Sequence, residues 1–363
     1  MRISSLSLQH FRSYDALELT FGDQGRQFFY GDNGSGKTNI VEAVSLLSQG
    51  RSCLKADLQD VVRFGDMFFK VRAQIQSDHQ ESRSVECVFQ VTPKRASAYF
   101  IQDVRTPLLA FIGTIPTIIF LPQDLDLFTG SPSGRRNFLD SLLSQLKPDY
   151  AALRLDYERV LKQRNVLLKR IAQGESKESE LDVWDNELAS TGALIMSRRS
   201  DALLAISELL PAELERLAEP RTGISIIPVC TATGDDPKQA LLESLRKYRS
   251  RDVILQTTTT GPHRDDWRIE DQGKDISVIA SRGQQRSILL AMLFVNAALF
   301  KTIRNERPVI LLDDVLSELD EHHQQALLSH LQDHQVIITS THPVAQTDDL
   351  AAWEVGGGGV MRL

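Results

Sequence analysis

The sequence predicts an α/β fold assembled from both ends of the chain, with a mainly helical lobe inserted between them. Three observations lead there. A short apolar strand pattern at Gln27–Tyr30 runs straight into the glycine-rich string GDNGSGKT at Gly31–Thr38. Apolar and polar residues alternate in the first and last thirds of the chain, as half-buried strands require. From about Ser133 to Leu217 the period becomes helical.

The elements follow in order. Arg2–Leu8 and Leu17–Phe21 alternate and read as strands, and Ile40–Leu47 has helical spacing after the glycine-rich loop. Phe68–Ile75 and Ser84–Val91 read as a hairpin, and Pro116–Leu121 as a further strand. In the lobe, Leu153, Tyr157, Val160, Leu161, Leu167, Leu168 and Ile171 share one face at ~100° per residue. After the polar break Gly174–Glu180, Leu181, Trp184, Leu188, Ile195, Ala202 and Leu209 continue it. Helices of this length span only ~30–50 Å, too short for a long coiled-coil arm. The last third returns to alternation. Ile276–Ile279, Val309–Leu312 and Val336–Thr341 read as strands, Gln284–Lys301 and Glu321–Leu331 as helices. Trp353–Val355 and Val360–Leu363 form a closing hairpin around four glycines. The economical division is residues 1–130 with 255–363 as one α/β domain, and 131–254 as the inserted lobe.

Composition limits the function classes. With 363 residues, 42% hydrophobic and 25% charged, the chain is globular. No apolar run approaches the ~20 residues of a membrane span, and MRISSLSLQHF lacks the apolar core of a signal peptide. Cys53, Cys87 and Cys230 are odd in number and scattered, which suits a reducing cytoplasm and argues against disulfides or a cysteine zinc site. Net charge is −7, and residues 252–363, with 9 basic and 16 acidic side chains, hold nearly all the excess. A surface for nucleic acid must therefore be a local patch.

Gly31–Thr38 matches the phosphate loop of nucleotide-binding proteins. Gly31, Gly34 and Gly36 allow the tight turn, and Asn33 and Ser35 complete a loop whose successive N–H groups point at a phosphate. Lys37 is expected to bridge β- and γ-oxygens of ATP, and the Thr38 hydroxyl to ligate Mg²⁺. Val309–Leu312 is a buried-type strand ending in Asp313 and Asp314, where a parallel sheet places its ligands. Asp313 is expected to hold Mg²⁺ through water and Asp314 to orient or deprotonate the attacking water.

SRGQQR at Ser281–Arg286 opens the helix that leads to that acidic strand. Taken alone it is simple capping. Ser281, Gly283 and Gln284 also form a helix N-terminus suited to an anion. One protomer's phosphates are already held by its own loop, so the γ-phosphate of a second protomer is the natural target, and ATP becomes the glue of a dimer.

The loop, this signature turn and the acidic strand resemble the ABC-type ATPase heads, P-loop NTPases shared by transporters, SMC proteins and DNA-repair ATPases. Two longer strings are more specific. PQDLDLFTGSPSGRRNFLD (Pro122–Asp140) and LLDDVLSELDEHHQQAL (Leu311–Leu327) resemble characteristic segments of the RecF family, as do GPHRDD (Gly261–Asp266) and LQHFRSY (Leu8–Tyr14). The resemblance implies a DNA-repair ATPase whose ATP-driven dimer clamps duplex DNA near single-strand gaps. It implies RecO and RecR as partners, RecA loading as the outcome, and slow hydrolysis as the reset. Ser317–Asp320 matches the segment that communicates across the dimer. His342 is placed like the histidine that senses the γ-phosphate, or is a surface residue before Pro343. Gln123 stands where related ATPases carry a metal- and water-sensing loop. There the family usually has a carboxylate, and a smaller aliphatic where Phe128 stands. Arg12 either reaches the nucleotide or lies on a strand turn, and His263 is either functional or structural.

On the helix around Tyr150–Ile171, Arg159, Lys162, Lys169 and Arg170 fall opposite the apolar face, as contacts to a phosphate backbone would require. The bland alternative is a solvated helix face. Arg246, Lys247, Arg249 and Arg251 form a second basic cluster and Arg135–Arg136 a third. Three rivals fit less well: a transporter ATPase subunit (the phosphate loop and signature turn are too far apart), an SMC-type organiser (the helices are too short) and a small-molecule kinase (Ser281–Arg286 would have no purpose).

Overall fold

The computed structural model describes residues 1–316, 321–343 and 350–363, the side chains of 321–323 excepted. It divides into two compact units. The first comprises Met1–Leu125, Glu213–Pro220 and Arg286–Leu363, the second Asp126–Ala212 and Arg221–Gln285. Residues 255–285, grouped by sequence with the first domain, thus cluster with the second.

In chain order, β1 (Arg2–Phe11), β2 (Tyr14–Thr20) and β3 (Arg26–Tyr30) precede α1 (Lys37–Gln49) and α2 (Leu58–Val61). β4 (Phe68–Gln76), β5 (Ser82–Gln90), β6 (Ala96–Ile101), β7 (Val104–Thr106), α3 (Leu108–Phe111) and β8 (Thr117–Phe120) follow. The second unit contributes α4 (Asp126–Thr129), α5 (Pro132–Leu146), α6 (Pro148–Ala172), most of α7 (Leu181–Arg216), β9 (Ile224–Val229), α8 (Pro237–Lys247), α9 (Arg249–Leu255), β10 (Asp266–Asp271), β11 (Lys274–Asp275) and α10 (Ile276–Ile279). Then come α11 (Arg282–Arg304), β12 (Val309–Asp313), α12 (Glu321–His330), β13 (Val336–Ser340), β14 (Leu350–Gly356) and β15 (Gly359–Arg362).

The first unit has two six-stranded sheets, one antiparallel in the order β2-β1-β4-β5-β6-β7, the other ordered β15-β14-β3-β13-β12-β8. In the second, β14, β3, β13, β12 and β8 run parallel, with β15 antiparallel at the edge. α1 packs against strands of both sheets. That explains why Ile40, Val41, Ala43, Val44, Leu46 and Leu47 are all buried, more than one apolar stripe. The parallel strands are covered on both faces and so read as unbroken apolar runs, VILLD and VIITS. Phe29 stacks on Trp353 at 5.7 Å, and the indole N–H donates to Gln27 at 2.9 Å.

In the second unit, α5 and α10 pack against a three-stranded sheet ordered β11-β10-β9, α6 packs on α5 and α9 on α6, and Ser207 of α7 accepts from the Ile226 N–H of β9 at 3.1 Å. Ile276–Ile279 is a turn of helix and not the expected strand. Asp275 caps it by accepting from the Ser277 N–H at 2.8 Å, and a short apolar run cannot be assigned by period alone. The buried stripe of α7 ends on Leu203, Ile206, Leu210 and Leu214, whereas Leu209 is 38% exposed. β6, β7, β9 and β10 had no sequence counterpart. α11 is long and apolar enough to cross a membrane by length and composition, which qualifies the expectation of no such run. However, 72% of its apolar stretch is buried in the protein, as in the core helix of a globular fold.

Candidate nucleotide site

The site grows from one edge of the parallel sheet. The register sets Leu312 beside Phe120, Asp313 beside Thr339, and Ser340 beside Tyr30. The carboxyl ends of β8, β12, β13 and β3 are therefore level. Four predicted features leave from this edge: the glycine-rich loop after β3, Asp313 and Asp314 at the end of β12, the Pro122–Leu125 turn after β8, and His342 after β13.

Local chemistry shapes the loop. Gly34 and Gly36 have φ of 78° and 112°, a region side chains avoid. A Cβ at Gly36 would also lie 2.6 Å from the Tyr14 hydroxyl, which donates to the Gly36 carbonyl at 3.1 Å. A Cβ at Gly31 would lie 2.2 Å from the Val355 carbonyl oxygen. Gly31, Asn33, Gly34, Ser35 and Gly36 thus fold back over the start of α1. Lys37 is buried, and its ammonium donates to the carbonyls of Gly31 at 2.6 Å and Asp32 at 2.8 Å. Burial holds its pKa below the usual lysine value, against the pull of Asp314, Asp313 and Asp32. Ser35 Oγ is buried and bonds to nothing among the described residues. A buried hydroxyl left open in this glycine-rich loop fits an anionic oxygen.

Thr38 Oγ1 donates to the Asp313 carboxylate, 3.0 Å from each oxygen. Asp313 is nearly fully buried, and burial raises its pKa against the hydrogen bonds from Thr339 and Thr38. Thr339 Oγ1 donates to Asp313 Oδ1 at 2.6 Å and accepts from the Asp314 N–H at 3.0 Å. Sequence reasoning missed Thr339. Its only signal was a hydroxyl where the apolar run Val336–Ile338 ends. Thr38 and Asp313 present oxygen donors only, the set a hard cation such as Mg²⁺ selects. Asp314 has φ 51°.

Gln123 is exposed on its turn, where the neighbouring Asp124 accepts from the Leu121 N–H at 2.8 Å. His342 is exposed, and its backbone N–H donates to Ser340 Oγ at 3.2 Å. Arg12 does not point into the loop. Its guanidinium makes a two-pronged ion pair with buried Glu42, at 2.7 Å on each side. Ser317–Asp320 lies outside the described residues.

Ser281, Gly283 and Gln284 belong to the second unit. The Gln284 N–H donates to Ser281 Oγ at 3.3 Å, and Gln284 Oε1 accepts from the Ser281 N–H at 3.0 Å. This reciprocal pair caps α11, and Ser281 and Gly283 remain exposed.

The strings Pro122–Asp140 and Gly261–Asp266 meet in the second unit, and their charges are structural. Arg135 pairs with both oxygens of Asp266 at 2.7 and 2.8 Å, and Arg136 donates to the Asp265 carbonyl at 2.8 Å. Arg199 clasps Asp140 at 2.9 Å through two nitrogens and donates to the Pro262 carbonyl at 2.6 Å. His263 lies 3.1 Å from the Thr258 carbonyl through Nε2 and 2.7 Å from the Tyr157 hydroxyl through Nδ1. A carbonyl only accepts, so Nε2 carries the proton and Tyr157 donates to Nδ1. Burial, then Arg264, Arg136 and Arg164, push its pKa down to about 4.

Of the basic clusters, Arg135–Arg136 is therefore consumed internally, and Arg249 is tied to Asp182 and Asp185. On α6, Arg159, Lys162, Lys169 and Arg170 are exposed, opposite buried Tyr157, Val160, Leu167 and Leu168. Arg159 faces Asp156 at 3.3 Å and Arg170 lies 3.9 Å from Glu175.

A parallel sheet with a phosphate loop and an acidic strand at its carboxyl edge defines a P-loop NTPase, and the fold is that of the ABC-type ATPase heads. The profile of the RecF/RecN/SMC N-terminal domain family matches residues 2–351. The DNA replication and repair protein RecF of Heliobacterium modesticaldum is 35% identical, over 100% of this chain and 97% of its own length. RecF of Ruminiclostridium cellulolyticum is 32% identical, over 94% and 93%. A solved structure of the recombination mediator protein RecF with ATP, in the RecFOR pathway, superposes with a TM-score of 0.92 at 28% identity, covering 99% of this chain and 97% of that one. An SMC head bound to the C-terminal winged-helix domain of ScpA shares the fold, with a TM-score of 0.57 at 14% identity. The chain belongs to the RecF family of DNA replication and repair proteins.

Proposed function

We propose that this chain is an ATP-driven switch of recombinational DNA repair. The observation that carries the reading is the convergence of Lys37, Thr38, Asp313 and Asp314 on one sheet edge, with Thr38 and Asp313 3.0 Å apart across 275 residues of sequence. ATP would lie along the glycine-rich loop, its β- and γ-phosphates taking the Lys37 ammonium from the two carbonyls that hold it. Mg²⁺ would be held by Thr38 and, through water, by Asp313, with Gln123 reaching it from the turn after β8. When bound, the cation supplies charge neutralisation between the phosphates. Asp314 would orient or deprotonate the attacking water, and His342 would contact the γ-phosphate.

Ser281, Gly283 and Gln284 of a second copy would complete each site. The exposure of Ser281 and Gly283 and the cap that Ser281 and Gln284 build support that role. The ATP-bound dimer would clamp duplex DNA near single-strand gaps without reading its sequence, using Arg159, Lys162, Lys169 and Arg170. RecR and RecO would act with it to load RecA, in the cytoplasm. Weak, DNA-stimulated hydrolysis would reset the clamp. The test is sedimentation of wild type, Lys37→Met and Ser281→Arg with and without ATP. Each variant alone should stay monomeric, and their mixture should recover dimers carrying one intact composite site. Dimers of Ser281→Arg alone would overturn the trans arrangement.

A further inference from the structure

A threonine hydroxyl has one proton to give and two lone pairs to receive with. At Thr339 the proton goes to Asp313 Oδ1 at 2.6 Å, and a lone pair takes the Asp314 N–H at 3.0 Å. One side chain therefore touches both members of the acidic pair. Thr339 is fully buried at the carboxyl end of β13, one residue before Ser340, and pairs in register with Asp313 on one side and Phe29 on the other. Thr38, the other donor to Asp313, sits at the start of α1 and is the group expected to turn its oxygen toward a cation. Thr339 itself is not among the groups that a nucleotide or its cation is expected to recruit. Asp314 has φ 51°, a conformation a non-glycine residue keeps only when its surroundings hold it.

We propose that Thr339 is a positioning residue for the metal and hydrolysis site. It aims the Asp313 carboxylate at the cation and seats the backbone that presents Asp314. This rests on the nucleotide reading above and adds a residue to it. Removing the hydroxyl should loosen the cation first, because outer-shell partners orient the ligand they touch.

The test compares full-length Thr339→Val, Thr339→Ser and Asp313→Asn. Mn²⁺ binding is followed by electron paramagnetic resonance with a non-hydrolysable ATP analogue, and kcat and KM for ATP are measured across a Mg²⁺ titration. Valine matches threonine in shape and suits a central strand, and the Asp314 N–H keeps the Thr339 carbonyl at 3.2 Å. Thr339→Val should weaken Mn²⁺ binding roughly tenfold to a hundredfold. It should lower kcat while leaving KM for ATP at saturating cation near wild type, and Thr339→Ser should restore both. If Thr339→Val binds Mn²⁺ within about twofold of wild type while Asp313→Asn loses it, the role of Thr339 is refuted and the nucleotide site stands. If Asp313→Asn also binds Mn²⁺ normally, the nucleotide reading itself falls. Should Thr339→Val be too unstable to assay, Thr339→Cys, a weak donor, takes its place with the same two outcomes.

Discussion

Lys37 shows how a nucleotide site can be pre-organised at the scale of one residue. Its ammonium is buried and already satisfied by two carbonyls, so in the proposed role phosphate oxygens would exchange partners with it and need not recruit it from water. Hydrogen bonds to charged groups contribute roughly 1.5–3 kcal/mol each. Lys37→Met should therefore weaken ATP about tenfold to a hundredfold or more in equilibrium binding, with little change in secondary structure by circular dichroism. Gly36 is constrained differently. Its φ of 112° and the Tyr14 hydroxyl 2.6 Å from any added Cβ leave no room for alanine. Gly36→Ala should cost about 1–3 kcal/mol of stability in urea unfolding and reduce ATP binding with it. His263 makes a pH prediction. Unfolded, its imidazole titrates at the ordinary value of 6.5, and folded, at about 4. The folded state thus binds fewer protons, and its contribution is complete above 6.5 and lost as pH falls toward 4. Between about pH 7 and pH 5, His263→Gln should lose less stability than wild type. An equal loss would mean that His263 is solvated and titrates normally.

At the scale of elements, buried charge fixes the helices of the second unit. Arg164 of α6 is wholly buried, 2.7 Å from Asp185 of α7 and 2.7 Å from Asp252 of α9. The same guanidinium donates to Thr258 at 2.8 Å. The helical period sets position 164 on the apolar face with Val160, Leu161, Leu167 and Leu168, so it signals burial, but the partners on α7 and α9 are distant in the chain and leave no mark on that period. Removing it strands two carboxylates away from water, so Arg164→Met should destabilise the protein by about 3–5 kcal/mol in urea unfolding. Replacing all three charges with apolar residues should recover much of that loss. The elements of the nucleotide site were far more legible. β3, α1, β12 and β13 announce themselves as short apolar runs punctuated by glycine, lysine and aspartate. Ile276–Ile279 was misread because four apolar residues carry no period, and the Asp275 cap decided for helix.

At the scale of the whole molecule, the α6 cations are the proposed contact to DNA. With Lys162 and Lys169 exposed and without an ion-pair partner among the described residues, Lys162→Gln and Lys169→Gln should each weaken duplex binding about equally for any sequence. Each should lower the slope of log affinity against log salt by up to about one. An unchanged slope would place the DNA elsewhere.

By itself the sequence determined the family, the phosphate loop, the acidic strand and the α/β plan split between the chain ends. Those features rest on local chemistry: glycine where the backbone must turn, carboxylates where an apolar strand ends, apolar runs where a sheet is covered on both faces. Only the tertiary structure decided which polar groups are spent inside the protein. Arg12 is bound to Glu42, Arg135 to Asp266 and Arg249 to Asp182 and Asp185, whereas Thr339 reaches the acidic pair. Whether a charge faces solvent or a partner depends on strands and helices distant in the chain, and neither period nor composition records them.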